Sequence, residues 1–227
     1  WHRSMETLTD DLEYIACNLC GRDRTKALFQ RKDARFLISD LSFQVLKCRF
    51  CSLVYVNPRP TEKAMQNYYS DDFYQADLTP DQALESNRSR LDAMYGRVQH
   101  LRPGRVLDVG CYKGEFLYVM KNRGWDVHGV EFFSRPTNLF GLDIFYGPLE
   151  HVPFDSHSFD LVTLWAVLEH VYDPKGMLLK LHRLLKTSGR LLLLVPNFTS
   201  IPGRWMRHDD VPRHTTMFTR RTLTEML

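Results

Sequence analysis

Four of the five cysteines fall into two Cys-x-x-Cys pairs, Cys17/Cys20 and Cys48/Cys51, with 27 residues between them. Each pair sets two thiolates on one tight knuckle, and two knuckles supply the four corners of a zinc tetrahedron. Gly21, after the first pair, suits the turn, and Ser52 repeats the plan after the second. Disulfides or chance spacing are the plainer alternatives, and a cytosolic setting disfavours the disulfides. Four thiolates leave no open coordination position. Such a metal would hold the fold rather than perform chemistry.

A second constellation follows the sequence Arg105-Val106-Leu107-Asp108-Val109, which reads as a buried strand. It ends in an acid and runs into Gly110-Cys111-Tyr112-Lys113-Gly114, two glycines four apart before a helix. Gly110 lets the backbone turn sharply and lie close to a ligand. Gly114 opens a helix whose free N–H groups suit a carboxylate or phosphate. Glu131 lies 23 residues past Asp108, at the end of the next strand, where nucleotide-binding sheets grip ribose hydroxyls. On these features alone NAD fits as well as any other nucleoside, although the G-x-G-x-x-G spacing is absent.

The elements that must position these residues divide the chain. Around the cysteines, Phe43–Cys48 and Leu53–Val56 alternate as a ribbon hairpin would, and Asn57-Pro58-Arg59-Pro60 marks a boundary. Thr61 can cap a short helix through Ala64 and Tyr68, and an aromatic cluster including Tyr69 and Tyr74 follows. Residues 86–101 read as one amphipathic helix with Leu91, Met94, Tyr95, Val98 and Leu101 on one side. From Arg105 onward, strands at 105–109, 126–130, 143–145, 159–164 and 190–195 alternate with helices at about 114–123 and 173–186. That alternation implies right-handed crossovers, a parallel sheet, and ligands beyond the strand C-termini.

The run Val106 to Phe116 resembles motif I of class I S-adenosylmethionine-dependent methyltransferases. Ser158-Phe159-Asp160-Leu161-Val162, Leu168-Glu169-His170-Val171-Tyr172-Asp173-Pro174, Ser188-Gly189, the leucine strand and Pro196-Asn197 follow in that family's order. His214 to Thr219 resembles its H-x-x-x-F-T segment, and a two-knuckle module ending in Asn-Pro-Arg-Pro resembles the front of one subgroup. The resemblance covers Cys17 to Leu227. It implies an α/β fold: a Rossmann-like doubly wound parallel sheet, order 3-2-1-4-5, preceded by a small zinc-ribbon-like module. The corresponding division is 1–16 tag remnant and leader, 17–60 zinc module, 61–100 helical linker, and 101–227 cofactor-binding domain. It also implies that the chain stops inside a helix beginning near Thr219, short of the family's C-terminal hairpin.

The resemblance implies S-adenosylmethionine as cofactor, beside the zinc held by Cys17, Cys20, Cys48 and Cys51. Asp108, Gly110, Cys111 and Gly114 fall to the methionine part, Glu131 to the ribose, and Pro148 and Leu149 to the adenine flank. Trp165 and Ala166 are expected near the methyl group. His170 and His214 are the candidate catalytic residues, His170 either as a base or, like Glu169, as a brace for the turn. Two departures stand out. Tyr112 occupies a usual glycine position, and Pro148 replaces an acid, leaving Leu149 N–H to meet the adenine.

Composition bounds the alternatives. Of 227 residues, 44% are hydrophobic and 25% charged, which excludes a disordered or collagen-like chain. The main apolar run, Leu191–Val195, stops at Pro196, far short of the ~20 residues a membrane span needs. The absence of a signal-like start makes cytoplasmic the default expectation. Trp1 to Ser4, ahead of Met5, read as a tag remnant. A net charge of +3 is too mild to argue for nucleic acid. The resemblance implies a small-molecule methyl acceptor as partner, a sugar or secondary metabolite methylated at O, N or C. An RNA methyltransferase that grips RNA through its zinc module, and a non-catalytic zinc-braced adaptor, are the alternatives.

Overall fold

The protein is described by a computed structural model covering residues 11–69, 78–132, 138–200 and 210–227. Residues 1–10, with the expected tag remnant, and Tyr74 lie outside the described residues. The described chain forms two compact units that do not follow chain order. A cysteine unit draws on 11–69, 168–176, 195–200 and 210–227, and an α/β unit on 78–132, 138–167 and 177–194.

In the cysteine unit, β1 (Leu12–Glu13) precedes the first knuckle, and β2 (Thr25–Lys32), β3 (Ser42–Cys48) and β4 (Val54–Val56) form an antiparallel sheet. The short β5 (Arg59–Pro60) pairs back to β1, and α1 (Glu62–Met65) follows. Thr61 caps α1 as expected, its hydroxyl accepting from Ala64 N–H at 3.2 Å. Along β3, Phe43 and Val45 turn inward while Ser42 and Gln44 face out, the period-2 pattern of a half-buried strand, and the alternation changes parity at the buried Leu46. Phe43 and Val45 join Val54, Val56, Met65, Tyr68, Val211 and Met217 in one core.

The α/β unit begins with α2 (Pro80–Ser86) and α3 (Arg88–Gly96), where a single helix over 86–101 was expected. The break falls at Asn87, whose side-chain amide donates to Ala83 carbonyl at 3.0 Å and whose backbone leaves the helical region. Asparagine's competition for nearby backbone groups accounts for the interruption. The next elements are β6 (Arg105–Val109), α4 (Glu115–Lys121), β7 (Asp126–Glu131), β8 (Ile144–Tyr146), β9 (Phe159–Trp165), α5 (Pro174–Leu184) and β10 (Leu185–Leu194). All five strands run parallel in the order β10-β9-β6-β7-β8, which is the expected 3-2-1-4-5.

The last strand starts five residues earlier than expected and shortens α5. A register shift between Leu185 and Arg190 absorbs the difference. Gly189 sits at that shift, where a Cβ would come within 2.8 Å of Phe159 carbonyl. The central strands carry Val106, Leu107, Leu161, Val162 and Leu164 with almost no exposure, as a sheet covered on both faces requires. Leu91 and Met94 of α3 and Phe116, Leu117 and Met120 of α4 complete that core.

Two further elements close the chain. β11 (Thr216–Met217) returns to pair with β4 in the cysteine unit, Thr216 opposite Tyr55. Then α6 (Arg220–Met226) starts under a capping box from Thr219 and Thr222. Among the described residues no helix is long and apolar enough to cross a membrane.

Candidate functional site

The four paired thiols converge. Their sulfurs all lie within 4.8 Å of one another, with Cys17 and Cys51 3.4 Å apart and Cys20 and Cys48 3.5 Å apart. Zinc–sulfur bonds of ~2.3 Å make a tetrahedron with edges of about 3.8 Å, so the donor set fits a structural zinc. The local backbone explains the convergence. Gly21 (φ 72°) and Ser52 (φ 69°) take the same left-handed conformation just after the second cysteine of each knuckle. Gly21 N–H bonds back to Cys17 carbonyl and Ser52 N–H to Cys48 carbonyl. Burial, followed by its thiol neighbours, pushes the Cys51 thiol up. A divalent cation would offset that penalty.

In the α/β unit, the turn after β6 is fixed by three N–H groups that point at the end of β7. Gly110 and Cys111 donate to Val130 carbonyl at 2.7 and 3.2 Å. Tyr112 N–H donates to Glu131 Oε2 at 2.7 Å, and Phe132 N–H takes the other carboxylate oxygen at 2.8 Å. Gly110 needs its glycine twice over: φ is 71°, and a Cβ would meet Val167 at 2.5 Å. Gly114 (φ 90°) caps α4. Tyr112, at the position where a glycine was expected, holds φ at 53°. The loop therefore keeps its left-handed shape despite the bulky residue, at a cost of about 1–2 kcal/mol.

This turn walls a cleft that opens to solvent. Asp108, Gly110, Cys111 and Trp165 line it, as the sequence led us to expect. Arg90 and Glu115 also line it and were not anticipated from sequence. Arg90 carries no motif, and Glu115 reads only as first-turn helix acid. Glu131 stands behind the wall, bonded to the Tyr112 backbone. Gly114, Pro148, Leu149 and Ala166 are not among the lining residues; Leu149 is buried in a 3₁₀ turn at Leu149–His151, and Ala166 is exposed.

The cavity suits S-adenosylmethionine on its own chemistry. Acids at Asp108 and Glu115 and the guanidinium of Arg90 complement a ligand carrying two cationic centres and one carboxylate. The buried Trp165 Nε1 has no partner among the described residues. Such an orphaned donor costs about 1–3 kcal/mol unless something supplies an acceptor.

Asp108 is buried and accepts a 2.6 Å hydrogen bond from the Thr163 hydroxyl on β9. Burial pushes it up to about 7, against that hydrogen bond. The folded protein keeps a proton that the unfolded chain sheds near pH ~3.9, so this group's effect is to lower ligand-free stability as pH climbs from there to about 7. A cation in the cavity favours the carboxylate. Cofactor affinity is therefore expected to rise as pH passes upward through about 7, and Asp108→Asn to flatten the rise. Calorimetry at about pH 6 and about pH 8 reads both.

His170 and His214 are brought together in the cysteine unit, ring centroids 4.7 Å apart and nearly perpendicular. His170 Nδ1 lies 3.1 Å from Arg213 carbonyl and 3.3 Å from the Tyr69 hydroxyl. His214 Nε2 lies 3.1 Å from Asp210 Oδ2. Arg213 is 1% exposed and bonds Asp33 at 2.9 Å, Asp210 at 2.6 Å and Tyr68 carbonyl at 2.9 Å. The Thr215 hydroxyl donates to the carbonyls of Glu169 and Val171, tying the two histidine segments together. Burial lowers His170 to about 3 and raises Glu169 to about 7.

Comparison with known proteins agrees with this geometry. A methyltransferase-domain family profile matches residues 78–227, more than half of the chain. A tRNA U34 carboxymethyltransferase of Desulforapulum autotrophicum is 29% identical over 54% of this chain and 40% of its own length. A ubiquinone biosynthesis O-methyltransferase of Aeromonas salmonicida is 29% identical over 49% of this chain and 51% of its own. The chain thus spans about half the length of these curated relatives. The crystal structure of a SAM-dependent methyltransferase from Archaeoglobus fulgidus shares the fold, with a TM-score of 0.53 at 22% identity over 63% of this chain and 70% of that one. The sheet order, the glycine turn and the profile match lead to one conclusion: the chain belongs to the class I S-adenosylmethionine-dependent methyltransferase family.

Proposed function

We propose that the protein transfers a methyl group from S-adenosylmethionine to a small-molecule acceptor, at oxygen, nitrogen or carbon. The observation that carries this reading is the glycine turn locked to Glu131 beside an acid-lined cavity. When bound, the cofactor supplies an electrophilic methyl group on a sulfonium centre.

The chain's own residues bind and orient. Gly110 and Cys111 offer a close backbone approach, and the carboxylate of Glu131 accepts the ribose hydroxyls. Asp108 and Glu115 face the cationic centres, Arg90 the carboxylate. Leu149 N–H and its neighbours meet the adenine, in place of the side-chain acceptor that Pro148 cannot offer. Trp165 and Ala166 flank the methyl position. His170 and His214 serve the acceptor's nucleophilic atom. Positioning of nucleophile and methyl in line supplies much of the rate. Cys17, Cys20, Cys48 and Cys51 hold zinc as a structural brace, consistent with a reducing, cytoplasmic setting.

A relative named for tRNA makes an RNA acceptor the reading to test against. Methyl-labelled cofactor should be incubated with the protein and, separately, deproteinised metabolite extract and total RNA. Label is expected in the metabolite fraction. Label in RNA, weakening steeply with salt, would overturn the small-molecule reading.

A further inference from the structure

One buried acid of the cysteine unit, Glu169, lacks hydrogen-bond partners among the described residues for either carboxylate oxygen. Its side chain is 2% exposed. A buried carboxylate without donors is costly, and proteins retain one where something cationic completes it. The groups around it have the chemistry of metal ligands. One oxygen of Glu169 and one ring nitrogen each of His170 and His214 lie within 4.8 Å of one another. Metal–ligand bonds of about 2.1 Å place neighbouring ligand atoms about 3–4 Å apart, so a small inward adjustment closes the set.

The surroundings of the two imidazoles strengthen the case. Metal-bound histidines typically donate their other ring N–H to a carbonyl or carboxylate, which fixes the tautomer and the ring plane. His170 has Arg213 carbonyl 3.1 Å from Nδ1, and His214 has the Asp210 carboxylate 3.1 Å from Nε2. In the tautomers that donate to these acceptors, with the Tyr69 hydroxyl also 3.3 Å from His170 Nδ1, the second nitrogen of each imidazole keeps its lone pair. Asp210 is itself held by Arg213, so the support is two layers deep. No hydrogen bond among the described residues joins Glu169 to either histidine, which a hydrogen-bonded triad would require.

We propose that Glu169, His170 and His214 form a second metal site, a two-histidine, one-carboxylate set for a first-row divalent cation such as Mn²⁺, Co²⁺ or Zn²⁺. Three protein ligands of this kind leave open positions for oxygen donors, from water or an acceptor hydroxyl. The site is distinct from the four-thiolate cluster, which is closed and prefers softer ions. The inference deepens the acceptor-side reading of the two histidines given above. Its test uses neither cofactor nor acceptor, so its failure would leave methyl transfer standing.

The experiment starts from the full chain with zinc in the cysteine cluster, confirmed by elemental analysis. Mn²⁺ is titrated and its free electron-spin-resonance signal followed. Co²⁺ is titrated in parallel and its absorption recorded. One Mn²⁺ per chain beyond the zinc is expected, with Co²⁺ giving weak visible bands and no thiolate charge-transfer band. Glu169→Gln and His214→Gln are each expected to weaken binding by about 100-fold. Both variants are compared with wild type by circular dichroism and thermal melting, and a variant that fails to fold is replaced by Glu169→Asp, expected to bind more weakly than wild type. Folded wild-type protein that takes up no Mn²⁺ or Co²⁺ beyond the cysteine site would overturn the proposal. So would uptake unchanged in the folded variants.

Discussion

Replacing Cys51 with serine is expected to unfold the cysteine unit. Apparent metal-binding free energies at four-ligand zinc sites run to about 10–16 kcal/mol, as large as the whole stability of a typical domain, about 5–15 kcal/mol. Little else replaces that contribution locally. The first knuckle is held by turn hydrogen bonds such as Cys17 N–H to Arg22 carbonyl, and β2, beyond it, is mostly exposed. Zinc content should fall from one per chain toward zero, and limited proteolysis should cut between the knuckles and through β2. A strong chelator should reproduce the effect in the wild type, reversibly with added zinc. A Cys51→Ser protein that melts and resists protease like the wild type would show that the thiols are not a metal site.

The second large effect belongs to Arg213. Its guanidinium is fully buried and spans two carboxylates, Asp33 and Asp210. Asp33 is further bound by the N–H groups of Arg35, Phe36 and Ile38, so it cannot turn away to water. Arg213→Met is therefore expected to destabilise the protein by about 3–5 kcal/mol, the usual cost of stranding buried charge. The pH dependence identifies the cause. Burial alone would raise Asp33, but Arg213 and the backbone N–H groups bring it below the usual carboxylate range. A depressed acid contributes stability above its unfolded value of ~3.9 and loses it as pH falls. Without the arginine, burial lifts Asp33, and protonation relieves it. The penalty of Arg213→Met measured by urea unfolding should shrink between about pH 7 and about pH 4. An equal penalty at both pH values would mean that lost packing, not charge, explains the effect.

What could be read from sequence was what is local. The Cys-x-x-Cys knuckles, the Asp108–Gly114 turn and the strands of the parallel sheet each rest on residues within about ten positions, where spacing and periodicity speak directly. The candidate site was legible only in part: Asp108, Gly110, Cys111 and Trp165 line one cavity, whereas Gly114, Glu131, Pro148, Leu149 and Ala166 do not. The rest depends on pairings that no local pattern encodes. Asp33 and Arg213 are 180 residues apart. β11 joins β4 across most of the chain, which brings the histidine segment of the C-terminus into the same unit as the cysteines. Arg90 lines the cavity one turn after the break at Asn87, a local competition that apolar periodicity overlooks. Tyr112 shows the reverse case. Its residue type argued against the turn, and the surrounding hydrogen bonds impose the turn on it anyway.

The central claim, that the α/β unit is an S-adenosylmethionine site built on the Gly110 turn and Glu131, is tested most directly by calorimetric titration of the purified chain with S-adenosylhomocysteine. This needs no acceptor. One site per chain is predicted for the wild type, with Gly110→Val and Glu131→Ala proteins that remain folded showing no measurable binding. A folded wild-type protein that gives no heat with either S-adenosylhomocysteine or S-adenosylmethionine, or a Glu131→Ala protein that binds as the wild type does, would contradict it.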